Sequence, residues 1–220
     1  MKTKYMQLLT LAASTLAAAV LMTGCGSTAG YKQADKTGAG IAGFRDEIVK
    51  GKAAIDNAVE ALGLVASSAT TDPRGPFEQY SKSVSVLESV AIKAGKRSAD
   101  MKAQGQAYFK QWETEMAQVS NPEIRKLAEG RKAKLQGSFD SIRKFSEPLK
   151  AQFDPWMSNL KDLQKYLAND LTIAGVDAAK GLFAKTRAEG VEVQKSMDGL
   201  IAELNTIAAT LTPAKTEPKK

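Results

Sequence analysis

Twenty-four carboxylates, one thiol and no imidazole are what this 220-residue sequence offers for chemistry. Without histidine there is no Ser-His-Asp or Cys-His nucleophile system and no imidazole metal ligand. The commonest general base at neutral pH is missing as well. A lone cysteine, Cys25, excludes a disulfide within the chain. Helical stretches carry many carboxylates, among them Glu113, Glu115, Asp162, Asp170, Asp177 and Glu192. They lack the Glu-x-x-His pairs that a di-metal helical bundle needs. The nearest approach to a phosphate loop is Gly95-Lys96, followed by Arg97 instead of Ser or Thr, with Val90 where the leading glycine belongs. No catalytic residue, metal or cofactor is therefore expected, and the reading is a non-enzymatic protein.

The thiol has a different use. Lys2 and Lys4 precede an apolar stretch from Leu8 to Met22, and the small residues Thr23 and Gly24 come next. That is the order of a cleavable signal peptide. Fifteen residues of helix rise about 22 Å, short of the roughly 30 Å hydrocarbon core, so a permanent span is disfavoured. Leu21-Met22-Thr23-Gly24-Cys25 resembles a bacterial lipobox, with Met22 where Leu is more usual. The resemblance implies cleavage between Gly24 and Cys25 and acylation of Cys25. Several acyl chains on one residue anchor stably, since each buried CH₂ contributes about 0.8 kcal/mol. In enterobacterial lipoproteins an Asp after the Cys means inner-membrane retention. Gly26 and Ser27 stand here, so the expected site is the periplasmic face of the outer membrane.

Beyond Cys25 the chain reads as helix. Ala, Lys, Glu, Leu and Gln dominate, only seven prolines occur, and period-two runs of β-branched residues are missing. Residues 25–40, rich in glycine, read as a flexible lipid-anchored tether. From Ile41 apolar or small residues recur in 3-4 steps through Phe44, Ile48, Gly51, Ile55 and Ala58 to Val65, the spacing of a coiled-coil seam. Thr70 to Pro76 breaks the pattern. A second helix spans Phe77 to Val119 with its seam through Tyr80, Val84, Leu87, Ala91, Met101, Gly105, Tyr108 and Trp112. Asn121-Pro122-Glu123 supplies a cap, a first-turn proline and an acid. The third helix covers about 122 to 168, from Ile124 and Leu127 through Leu135, Phe139, Trp156 and Leu160 to Leu167. Pro148 and Pro155 predict a kink, with Asp154 capping a restart. A fourth helix carries Val176, Ala179, Phe183, Thr186, Gly190, Val193 and on to Leu211. Residues 212–220 read as a basic disordered tail.

The expected fold is thus all-α: an elongated antiparallel bundle of about four long helices over 41–211, behind a signal peptide at 1–24. Folding at Asn121 brings Met101 near Phe139 and Val84 near Trp156. Folding near Leu171 brings Gly190 near Phe153 and Thr186 near Trp156, so that rings face small residues. Ile41 then lies opposite about Gly105, and the tether, the Asn121 corner and the tail gather at one end. That end is basic, with Arg125, Lys126, Arg131, Lys132 and Lys134 on the third helix and Lys215, Lys219 and Lys220 in the tail. The formal charge is +7, and +5 once Lys2 and Lys4 leave with a segment free of acids. A basic end of this kind suits anionic phospholipid.

Gln104-Gly105-Gln106-Ala107-Tyr108-Phe109-Lys110-Gln111-Trp112-Glu113, Ser120-Asn121-Pro122-Glu123-Ile124-Arg125 and Leu163-Gln164-Lys165-Tyr166-Leu167-Ala168-Asn169-Asp170-Leu171-Thr172 carry a likeness that runs over most of residues 31 to 210. The segment resembles a family of bacterial proteins catalogued as a domain of unknown function. That likeness implies helix and no activity. The sequence therefore reads as an envelope lipoprotein acting as a tethered helical scaffold or adaptor. Its expected partners are the membrane, through the lipid, and an envelope protein or further copies of itself. Nucleic acid and a small-molecule substrate are not expected. The alternative is a periplasmic binding module for peptidoglycan, lipopolysaccharide or anionic lipid. Long heptad helices also resemble the arms of DNA-repair ATPases, but the nucleotide-binding head is missing.

Overall fold

The computed structural model describes residues 29–68 and 71–211. Among them are α1 (Ala29–Ser67), α2 (Arg74–Met116), α3 (Pro122–Asn169), α4 (Ile173–Ala178) and α5 (Lys180–Leu211), and no strand. The long helices alternate in direction. α1 packs on α2 and α5, and α3 packs on α5 and α2. The result is an up-down-up-down bundle in which α4 is a short lead-in to α5. At 1.5 Å per residue α3 is about 72 Å long and α2 about 65 Å, so the bundle is a rod.

The 3-4 seams are its core. In α1 every seam residue from Ile41 to Val65 is buried, and in α5 the same holds from Phe183 to Leu211. Burying each large aliphatic or aromatic side chain contributes about 1.5–3 kcal/mol, which helix propensity alone could not replace. Two hydrogen bonds fix the register. Tyr80 Oη donates to the Leu160 carbonyl at 2.6 Å, which is the pairing expected from Val84 opposite Trp156. Trp156 Nε1 donates to the Thr186 carbonyl at 2.7 Å, as their expected proximity requires. Phe139 lies over Gly105, one turn from the expected Met101, where a Cβ would approach the ring to 2.5 Å. The atoms nearest to Gly190 belong to Val59 and Trp156, and Phe153 packs against that indole at 5.9 Å.

Four expectations change. First, residues 29–40 are not a tether: α1 begins at Ala29. Its seam simply continues backwards through small residues. Thr37 is fully buried, its Oγ1 donating to the Gln33 carbonyl at 2.8 Å. At Gly40 an added Cβ would overlap Gln104 Oε1, so the glycine permits close approach of α2. Second, there are five helices rather than four among the described residues. Thr172 Oγ1 caps α4 by accepting from Gly175 N at 3.0 Å. Tyr166 Oη then donates to the Gly175 carbonyl at 3.0 Å, which competes with the 3.3 Å bond from Ala179 N. The helix is interrupted there and resumes at Lys180.

Third, Pro148 and Pro155 do not divide α3, which is continuous from Pro122 to Asn169. Asp154 caps nothing and instead pairs with Lys150. Fourth, Ile124 and Leu127 are not core residues, being 49% and 75% exposed. α5 ends at Leu211, level with Arg131, so nothing among the described residues covers the first turns of α3. The cap itself is as expected, Asn121 Oδ1 accepting from Glu123 N at 2.9 Å.

Burial raises the Tyr80 hydroxyl well above the ordinary tyrosine value. An acid held neutral in the fold and free to ionise in the unfolded chain adds stability that is complete below pH ~10 and lost as pH rises above it. Tyr80→Phe is expected to cost about 1 kcal/mol at neutral pH and to make the alkaline decline shallower. Urea titrations at pH 7 and at higher pH measure both. An unchanged alkaline slope would mean that Tyr80 is not the group responsible. Tyr108, raised by burial against the opposing charge of Arg131, leaves a residual slope.

Candidate functional site

Two features of the rod offer a surface for recognition: its lower end and a cleft between α2 and α3. The lower end is built from where the helices stop. Gly30 of α1 lies against Glu115, and Glu113 pairs with Lys132 of α3. Arg131 reaches the Thr210 carbonyl near the end of α5 at 2.9 Å. The start of α1, the end of α5 and residue 130 of α3 therefore share one level. Below it only the α2–α3 corner continues. Residues 122–129 carry it about 12 Å further at 1.5 Å per residue.

The projecting turns combine charge and grease. Arg125, Lys126 and Lys134 are exposed and have no carboxylate partner among the described residues. Glu123, Lys126, Leu127, Gly130, Arg131 and Lys134 line one shallow notch along α3, on the side that α5 leaves uncovered. Tyr31 of α1 adds an exposed aromatic ring near the same level, 52% accessible. Of the five described cations expected here, two are used internally. Lys132 is bound to Glu113, and Arg131 satisfies a terminal carbonyl of α5. Gly24, Cys25, Lys215, Lys219 and Lys220 lie outside the described residues. Sequence reasoning missed the exposure of Ile124 and Leu127, because their 3-4 spacing is that of the seam. The signal that could have found it is relative helix length.

The cleft lies halfway up the rod. Seam positions Ala91, Ala94 and Ser98 of α2 are small, and α3 stands away from them across Leu149 and Phe153. About 460 Å³ opens there, reaching Ile48 of α1 and Met197 of α5. Glu47, Glu88, Glu147 and Asp154 surround it. Three of these carboxylates are paired within the chain: Glu47 with Lys50 at 2.9 Å, Glu88 with Lys161 at 2.6 Å, and Asp154 with Lys150. Tyr108, Phe109 and Trp112 pack against one another nearer the lower end, with Phe109 edge-on to Phe139 at 5.4 Å.

Among the described residues no three acidic or thiol side chains converge as metal ligands would, and no helix is long and apolar enough to cross a membrane. Neither curated proteins nor solved structures give a match to this chain. A family model does match, over residues 27–211, which takes in all five helices. The bundle is therefore the domain that this model describes, and the chain belongs to the family described as Protein of unknown function (DUF2959).

Proposed function

We propose that this chain is a membrane-tethered helical scaffold of the bacterial envelope, a rod held at its lower end by acyl chains on Cys25 and offering its length to a protein partner. The observation that carries the reading is the start of α1 at Ala29, four residues after the cysteine of the lipobox-like run. Four residues span at most about 14 Å. An anchor so close to a 60–70 Å rod fixes one end at the bilayer and carries the other away from it, as a spacer or adaptor requires. A long flexible tether would instead let the domain wander, and the helical residues 29–40 remove most of it.

Metabolic labelling with palmitate tests the anchor. The native chain is expected to take up label and to fractionate with outer membranes, while Cys25→Ala takes up none. Equal label in both chains, or native protein recovered unacylated from the cytosol, would end this reading. The adaptor role predicts a discrete cross-linked species of native chain with an envelope protein, absent when Cys25→Ala is expressed at the same level.

A further inference from the structure

We infer that the projecting α2–α3 corner is a seat for an anionic lipid surface, with Ile124 and Leu127 entering the interface and Arg125, Lys126 and Lys134 meeting the head groups. The inference deepens the anchored-rod reading, on which it depends only for the distance between anchor and corner. The lengths match. The corner extends about 12 Å below the level at which α1 begins. Cys25 is four residues, or at most about 14 Å, from the same level. Acyl chains entering a bilayer from Cys25 would therefore bring the corner to the surface, where an amphipathic helix buries its apolar side by about 5–10 Å.

The chemistry of the corner selects the occupant. Residues 122–134 hold five cations against two acids, Glu123 and Glu129. Leu127 is the most exposed large apolar side chain among the described residues, at 75%. It lies in the notch with Lys126, Arg131 and Lys134. Basic side chains around an exposed leucine and isoleucine are what an interfacial helix presents to anionic lipid. Tyr31, exposed near the same level, is of the type that favours the head-group zone. Two other occupants fit less well. The chain's own residues 212–220 carry three lysines against one glutamate and would meet like charge. A second copy docking corner to corner would meet the same repulsion.

The test uses unacylated chain from Gly26 to Lys220, which contains every described helix. Flotation with vesicles of phosphatidylglycerol and phosphatidylcholine is compared with flotation on phosphatidylcholine alone. Binding is expected on the anionic vesicles only, falling as salt rises. Arg125→Glu with Lys126→Glu is expected to weaken it about tenfold or more, and Leu127→Ser to weaken it severalfold. Lys93→Glu with Lys96→Glu makes the same charge change halfway up the rod and should leave binding unchanged. Circular dichroism of each variant confirms the bundle.

Equal flotation on neutral vesicles, equal loss with the Lys93/Lys96 pair, or no binding at low salt would each overturn the inference. So would retention on purified peptidoglycan that is lost with the Arg125/Lys126 pair while vesicles bind nothing. The anchored-rod reading is judged separately by palmitate labelling. A labelled chain whose bare bundle ignores anionic vesicles loses the seat and keeps the anchor.

Discussion

Trp156→Ala is expected to cost about 3–5 kcal/mol, the range for deleting a large buried aromatic side chain. Trp156 is 2% exposed, is among the largest buried side chains, and loses with truncation the 2.7 Å bond from Nε1 to the Thr186 carbonyl. Its ring fills the space above Gly190, where an added Cβ would lie 2.9 Å from Cζ2 and 2.7 Å from Val59 Cγ2. Gly190→Leu should therefore be destabilising by about 3 kcal/mol from overpacking. The informative chain carries both changes. A leucine at 190 has somewhere to go once the indole is gone, so the double variant should be more stable than the sum of the single losses by about 2 kcal/mol. Gly181→Leu is the control, since nothing lies within 4 Å of its Cβ position and replacing an exposed helical glycine is neutral or mildly stabilising. Urea unfolding of the four chains reads all of this. Additive losses would mean that Trp156 and Gly190 do not face each other, and the α3–α5 register would fall with them.

That register is also where the sequence was most readable. Repeating 3-4 steps specify which side of each helix is buried, and the size alternation between facing seams then favours one alignment of α3 on α5. The placement of Trp156 by Thr186 comes from those two signals alone. Small residues are where legibility ended. Gly30 and Gly40 read as part of a tether because glycine disfavours an isolated helix, yet in the bundle they let α1 lie close to α2. The division between α4 and α5 depends on Tyr166 reaching the Gly175 carbonyl, a contact that no local pattern announces. At the lower end the cations were legible and their employment was not. Lys132 and Arg131 have internal partners, and which of the five remain outward depends on where α5 stops. The cleft left one trace, three successive small seam positions at Ala91, Ala94 and Ser98 between Leu87 and Met101.

Pro148→Ala and Pro155→Ala should each stabilise the bundle by about 1–3 kcal/mol, with a ceiling set by the roughly 3 kcal/mol penalty for proline inside a helix. Both prolines are exposed, so neither ring is needed to fill the core. Neither can donate a backbone hydrogen bond to the carbonyl four residues earlier, at Lys144 and Ala151, and each ring crowds that carbonyl. The two positions fall within the stretch of α3, from Ser146 to Met157, that forms one wall of the cleft. Restoring both bonds should let that stretch settle closer to Ala91 and Ala94, so the gain in stability should come with a smaller cleft. Urea midpoints measure the first effect, and lower binding of a fluorescent apolar dye measures the second. Pro76 serves as the internal control. It lies in the first turn of α2, where the first intrahelical bond is made by Phe77 N to the Pro73 carbonyl at 2.9 Å, so a missing N–H at Pro76 removes nothing. Pro76→Ala should leave stability within about 0.5 kcal/mol of the native chain. A loss of stability on replacing Pro148 or Pro155 would mean that the bundle is assembled around a bent α3, and that the cleft is a condition of the fold rather than a consequence of two missing hydrogen bonds.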